Sequence, residues 1–175
     1  MDIKKYISYS GAFDSRIIAS SEIPFSKQVV KYCEMNSCGL YGKLWTCPPG
    51  VGSLSENEEK IKSYPEALVL SFRFNIEDCF DFEGMRESGR KAKKRFSDIV
   101  EKIKNDGEDI LPLGCEGCGL CEKCTYPDSP CRFPDKAIPS VEAVGIDVVS
   151  LTKNIGMKYN NGKNTVTYFC IILYR

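Results

Sequence analysis

The chain carries a dense cysteine block between Gly114 and Cys131. Five cysteines occur within these eighteen residues, four of them separated by two residues each: Cys115, Cys118, Cys121, Cys124 and Cys131. This spacing lets neighbouring thiolates converge on one centre while the intervening amide N–H groups turn toward sulfur. Zinc fingers use such pairs far apart in sequence, whereas iron–sulfur cubanes use several in series. The serial repetition therefore favours a [4Fe-4S] cluster, and tetrahedral Cys-only zinc is the alternative.

A second group of cysteines precedes the block and consists of Cys33, Cys38 and Cys47. In the block, the preferred ligand quartet is Cys118, Cys121, Cys124 and Cys131. Its spacing resembles the bacterial ferredoxin run, which differs in placing the fourth cysteine at x3 and following it with proline. Cys115 is then left over and can complete the first group, so that eight thiolates hold two clusters. One cluster plus a three-thiolate site with an open iron fits the same sequence.

The loop around the first cysteines offers residues that suit the surroundings of a cluster. Gly39 and Gly42 allow the backbone to approach closely, and Tyr41 and Trp45 can shield a cluster from water. Trp45 is also expected to anchor the core. The two remaining cysteines, Cys79 and Cys170, lie apart from both groups and are interpreted as packing or incidental residues.

The amino-acid composition limits which metal sites, catalytic mechanisms and partners are possible. The 175 residues include ten cysteines and no histidine, which excludes Cys/His zinc sites and histidine-dependent catalysis. The 24 basic and 24 acidic residues balance, so neither nucleic acid nor a membrane surface is expected as a partner. The longest apolar runs are shorter than the ~20 residues of a membrane span, and the first residues are not those of a secretory signal. We therefore expect a cytoplasmic protein whose thiols bind metal rather than form disulfides.

The elements that must position these cysteines are those of an α+β protein. We expect a small β-sheet packed with a few helices, in a single domain over residues 1–175, with a cysteine-rich, ferredoxin-like, cluster-binding insertion at about 114–134. The predicted strands are Tyr6–Ser10, Ala67–Phe74 and Thr165–Tyr174. The predicted helices are Lys27–Cys33 after a Ser26 cap, Ser55–Tyr64, about Gly84–Lys104 and one starting at Asp147, and Cys38–Gly52 is predicted to be a loop.

Three motifs together resemble a known family. They are Cys33-x4-Cys38-Gly-x-Tyr41-Gly42-x2-Trp45-x-Cys47-Pro-Pro49, Cys118-x2-Cys121-x2-Cys124-x-Tyr-Pro-x2-Pro-Cys131-Arg-x-Pro134 and Ser140-x-Glu-Ala-x-Gly-Ile-Asp147-Val. Over roughly Val29 to Leu151 the chain resembles the predicted metal-binding proteins of domain of unknown function family 2284. The resemblance implies that these cysteines bind metal and that the source is an anaerobe. Within these motifs, Arg132 can offset cluster charge, and Glu142 and Asp147 can cap and brace the following helix.

These observations favour an iron–sulfur protein with one or two [4Fe-4S] clusters that transfers electrons to a redox partner protein, or serves a partner enzyme as a redox accessory. Two other functions fit the same cysteines. A three-cysteine cluster leaves one iron free to act as a Lewis acid in an enzyme. Zinc at the same positions would instead stabilise a binding module.

Overall fold

The computed structural model describes residues 2–175, and its centre is a four-stranded antiparallel sheet. In sheet order the strands are β1 (Asp14–Ala19), β2 (Glu66–Asn75), β4 (Thr165–Tyr174) and β3 (Ile110–Leu113). The long strands β2 and β4 pair along their full length, with Leu70 opposite Cys170. Both are continuously apolar in their centres, which is the pattern of strands buried on both faces.

One face of the sheet is covered by α1 (Lys4–Ser10) and the long helix α4 (Phe82–Asn105). The apolar residues of α4 recur at helical spacing and pack on alternate residues of β2 and β4. The side chains that meet here include Tyr6, Leu70, Phe72, Ala92, Phe96, Ile99, Ile103 and Ile172. The carboxylate of Asp81 accepts a hydrogen bond from the Gly84 amide and so caps the start of α4.

The opposite face is covered by α3 (Leu54–Lys62), α5 (Val148–Asn154) and the chain around Val141. Its core includes Ile61, Ala67, Val69, Val144, Ile146, Leu151, Phe169 and Ile171. Helices and loops therefore enclose the sheet from both sides, which gives an α+β architecture.

Most predicted elements are confirmed with small shifts of their ends. Helix α2 (Lys27–Glu34) begins after Ser26, whose hydroxyl accepts a hydrogen bond from the Gln28 amide. Helix α3 begins after Ser53 rather than at Ser55, because Ser53 and Glu56 cap it reciprocally. The predicted loop over residues 38–52 contains no helix or strand.

The prediction of an N-terminal strand over Tyr6–Ser10 is wrong, because these residues belong to α1. Ile3 and Tyr6 are buried on the same face of this helix, and the helix ends at Gly11 with a φ of +60°. Such a short apolar run does not distinguish a helix from a strand. Two strands were not predicted: β1 lies at one edge of the sheet, and β3 is a four-residue edge strand that contains Pro112.

The cysteine block leaves the sheet directly after β3. The backbones of Gly114 and Ser140 form a parallel bridge, with Gly114 N–H donating to the Pro139 carbonyl at 2.8 Å and Val141 N–H donating to the Gly114 carbonyl at 2.9 Å. Between them, residues 115–139 form an irregular excursion without helix or strand. Its backbone therefore has no ferredoxin-like element, and that likeness concerns the cysteine spacing alone.

Among residues 2–175, no helix combines the length and the apolar character needed to cross a membrane.

Candidate metal centre

The eight cysteines selected from the sequence line two cavities in two sets of four. We call the first set site 1, which consists of Cys33, Cys38, Cys47 and Cys115. We call the second set site 2, which consists of Cys118, Cys121, Cys124 and Cys131. The cavity volumes differ greatly, at about 650 Å³ for site 1 and about 20 Å³ for site 2. All ten cysteines of the chain are unpaired.

Site 1 draws its cysteines from three parts of the fold. Cys33 lies in the last turn of α2, and its thiol is 3.9 Å from the Glu142 carbonyl oxygen. Cys38 and Cys47 belong to the following loop, and Cys115 comes two residues after β3. Cys38 is exposed whereas Cys47 is buried, so the site extends from the surface toward the core.

Three thiols of site 1, those of Cys33, Cys38 and Cys47, repel one another as thiolates. Burial raises the pKa of Cys47 to about 11, and the nearby Cys38 and Cys33 add to this effect. Burial also raises the pKa of Cys33, again with contributions from Cys38 and then Glu142. A cation among these sulfurs reverses this balance, because it stabilises each thiolate.

Site 2 lies entirely within the irregular excursion. Burial tends to raise the pKa of Cys124, but the backbone N–H groups of Tyr126, Trp45 and Thr125, together with the Arg132 guanidinium, lower it overall. Arg132 also donates to the Lys123 carbonyl at 2.9 Å, which holds its side chain beside the site. Backbone and arginine donors directed at sulfur are the surroundings that a metal-bound thiolate requires.

Residues of the segment 40–47 contribute to the lining of both sites. Leu40 and Tyr41 line the site 1 cavity, whereas Leu44, Trp45 and Thr46 line the site 2 cavity. Cys47 belongs to site 1, and the charge of Cys118 from site 2 also contributes to its raised pKa. The two sets of thiols therefore lie close to each other.

The other residues selected from this loop have distinct roles. Gly39 and Gly42 adopt positive φ angles of +74° and +67°, and an added Cβ would meet no atom within 4 Å at either position. Glycine is thus favoured at these two positions by the turn conformation rather than by close packing. Trp45 is half-buried, donates through Nε1 to the Ser129 carbonyl at 3.1 Å, and packs edge-on against Tyr126 at 4.9 Å.

Three charged residues of the site 1 cavity were not predicted from the sequence to belong to the site. They are Arg86 from α4, Glu116 from the excursion and Glu142. Glu142 does not brace α5, since Asp147 caps that helix by accepting from the Ser150 amide at 3.0 Å. The Glu142 side chain is accessible to solvent through the open cavity, yet surrounding protein raises its pKa. The helical position of Arg86 gives no sequence signal, because its place depends on how α4 packs.

The two remaining cysteines lie outside both sets. Cys170 is fully buried in β4, and this burial together with a contact to the Cys115 thiol raises its pKa well above the ordinary value. It therefore packs as a small apolar residue, as predicted. Cys79 is exposed.

The donor chemistry of both sets fits a thiophilic metal or cluster, because each cavity presents four thiols and no histidine exists in the chain. Within residues 2–175, no three Cys, Asp or Glu side chains already adopt the arrangement that a single bound ion requires. The thiols thus surround each cavity without converging on one point.

Fold and cysteine arrangement together define an α+β protein with a cysteine-rich candidate metal centre. The chain belongs to the family described as "Predicted metal-binding protein (DUF2284)", whose model matches residues 16–174. No curated protein and no solved structure matches the chain.

Proposed function

We propose that this metal-binding protein is an iron–sulfur protein that holds two [4Fe-4S] clusters and transfers electrons to a redox partner protein. The observation that carries the proposal is the division of eight cysteines into two neighbouring sets of four. Four thiolates are the ligand complement of one such cluster.

Two features favour clusters over zinc. The serial x2 spacing of Cys115 to Cys124 is typical of cubanes. In addition, the four thiols of site 1 stand around about 650 Å³, which suits a body of several atoms better than a single ion. Site 2 encloses only about 20 Å³, so a cluster there requires its thiols to spread apart. The excursion contains no helix or strand that opposes this movement.

When bound, [4Fe-4S] clusters accept and release single electrons. This use is supported by the short segment 40–47, which lines both cavities, so that two clusters would lie near each other. The exposed Cys38 brings site 1 to the surface, where a partner protein can approach. Trp45 lines site 2 and packs against Tyr126, and Arg132 offsets negative charge there. Ten unpaired cysteines are consistent with the reducing cytoplasm as the proposed location.

The test is the iron, acid-labile sulfide and zinc content of protein purified without oxygen. We expect about eight irons and eight sulfides per chain for the wild type. Cys33→Ser should remove about four irons from site 1, and Cys121→Ser about four from site 2. The matched control is Cys79→Ser, which changes an exposed cysteine outside both sets and should keep the full content.

Redox titration completes the test, because electron transfer requires reversible one-electron reduction. Zinc without sulfide would contradict the cluster proposal and support a zinc-stabilised module. Iron clusters that dithionite cannot reduce would contradict electron transfer while leaving the cluster assignment intact.

A second candidate function is a cluster-dependent enzyme, which the contents of the site 1 cavity favour. Its volume lies in the ~300–1,000 Å³ range of small-molecule sites. Beside Cys33, Cys38 and Cys47 it presents three further side chains that can bind a small polar substrate, namely Arg86, Tyr41 and Glu142. In this function Cys115 is not a ligand and one iron stays open.

Cys115→Ala separates the two functions. Full thiolate ligation predicts loss or alteration of the site 1 cluster, whereas an open iron predicts an unchanged Mössbauer spectrum. Cys170→Ala is the control, because it removes the core partner of Cys115 without changing a thiol that lines the cavity.

A further inference from the structure

One buried polar atom lies at the boundary of site 2 without a partner. Thr46 is 5% exposed, and its Oγ1 forms no hydrogen bond with any of residues 2–175. No other buried side-chain oxygen or nitrogen in that part of the chain lacks one. Because buried hydroxyl groups in proteins are nearly always hydrogen-bonded, this atom indicates a partner that is not part of the polypeptide.

The position of Thr46 limits where that partner can lie, because its side chain lines the site 2 cavity and the adjacent outer cavity beside Pro127. Its side chain lines the site 2 cavity together with Cys118, Cys121, Cys124 and Cys131, and it does not line the site 1 cavity. The Thr46 hydroxyl lies close enough to the neighbouring Cys47 thiol to lower the pKa of that thiol slightly. The two groups nevertheless do not have the geometry of a hydrogen bond. A hydroxyl donates readily to sulfur that carries negative charge.

Two other side-chain donors around this cavity, Trp45 Nε1 and Thr125 Oγ1, are already occupied. Trp45 Nε1 donates to the Ser129 carbonyl at 3.1 Å, and Thr125 Oγ1 donates to the Pro130 carbonyl at 2.9 Å. Thr125 and Thr46 therefore line one cavity with the same functional group, but only Thr46 has its hydroxyl free. This pair provides an internal comparison.

We propose that the Thr46 hydroxyl donates a hydrogen bond to a sulfur atom of the cluster at site 2 and thereby sets its reduction potential. The inference rests on the proposed function, since it requires a cluster at this site. Hydrogen bonds to cluster sulfur are among the factors that set the potential, because they stabilise the more negative, reduced form. Removal of the hydroxyl should therefore make one of the two clusters harder to reduce.

The experiment compares Thr46→Val, Thr46→Ser and Thr125→Val by redox titration, after equal iron and sulfide contents have been verified. Valine has the shape of threonine without the hydroxyl, whereas serine retains the hydroxyl. For Thr46→Val we expect one of the two cluster potentials to become more negative. The ratio of reduced to oxidised cluster should change several-fold to tenfold, and a tenfold change corresponds to ~59 mV for a one-electron couple. Thr46→Ser and Thr125→Val should remain near the wild type.

A second measurement tests the bond directly. The Fe–S stretching bands in the resonance Raman spectrum should shift less between H₂O and D₂O in Thr46→Val than in the wild type and Thr46→Ser. Equal shifts in all proteins would overturn the proposal. An unchanged potential in Thr46→Val would overturn it as well. The partner of the hydroxyl would then lie in the adjacent outer cavity, which Thr46 also lines. An equally large change of potential in Thr125→Val would also overturn the proposal, because the change would then reflect a general disturbance of the loop.

Failure of the proposed function gives a different result. If the purified protein contains zinc and no sulfide, cobalt(II) replaces zinc and the sulfur-to-cobalt charge-transfer band is recorded. A band shift in Thr46→Val alone would retain the hydroxyl as a donor to cysteine sulfur, although no cluster exists. The same band in all variants would reject this role of Thr46 too.

Discussion

The contact between segment 40–50 and the excursion can be tested at Gly50. An added Cβ at this position would lie 2.8 Å from the Leu44 carbonyl oxygen and 2.8 Å from Cε2 of Tyr126. Real Cβ atoms essentially never approach so closely, and the Leu44 carbonyl is backbone, so it cannot rotate away. Gly50→Ala must therefore displace the loop backbone at Leu44 and the ring of Tyr126, two residues after Cys124.

We expect this overpacking to cost roughly 1–3 kcal/mol. In a chain of this length each kcal/mol lowers the melting temperature by ~2–4 °C, so the decrease should be about 2–12 °C. Thermal unfolding followed by circular dichroism at one scan rate measures it. Gly119→Ala is the control in the same block, since the nearest atom to its Cβ would be the flexible Lys93 Nζ at 3.4 Å. If Gly50→Ala melts together with Gly119→Ala and the wild type, the packing of the two segments described above is incorrect.

Two further predictions concern the fold that carries the sites. Ile172 is fully buried in β4, so Ile172→Ala should lose about 2–5 kcal/mol in denaturant unfolding and Ile172→Val only about 0.5–1.5 kcal/mol; equal losses would contradict its tight packing. Asp147→Ala should lose about 1 kcal/mol because it removes the cap of α5, whereas Asp147→Asn keeps a capping side chain. Hydrogen bonds from the backbone and then the side chain of Ser150 lower the pKa of Asp147. Its contribution is therefore present above the ordinary carboxyl pKa of about 4 and lost as the pH falls through the lower folded value, so the difference between Asp147→Ala and wild type should shrink in acid.

The sequence predicted the elements whose patterns are long and strong. Strands β2 and β4 are ten residues long and apolar in their centres, and the apolar residues of α4 repeat over most of its 24 residues. Short elements at the edge of the sheet escaped prediction. Strand β1 exists because it pairs with β2, and β3 because it pairs with β4, so neither follows from its own residues.

Some residues of the candidate site could likewise be predicted from the sequence, and others could not. The x2 spacing of cysteines is a local property and identified the residues of site 2, while simple counting related Cys115 to the first three cysteines. The residues that face the cysteines from elsewhere have no such signal. Arg86 reaches the site 1 cavity only because α4 packs on this side of the sheet, and the free hydroxyl of Thr46 is visible only when all its neighbours are placed.

The two sites differ in how a bound cluster would act on the fold. In the proposed protein, site 1 joins Cys33 to Cys115, 82 positions apart, whereas site 2 closes the 13 positions from Cys118 to Cys131. Each doubling of a loop adds ~0.6 kcal/mol to its closure cost, so closing the longer loop constrains the unfolded chain by roughly 1.6 kcal/mol more. Site 1 also ties α2 to the end of β3, while site 2 remains within the irregular excursion. Since metal binding and folding are coupled, loss of the site 1 cluster should destabilise the whole fold, and loss of the site 2 cluster mainly the excursion.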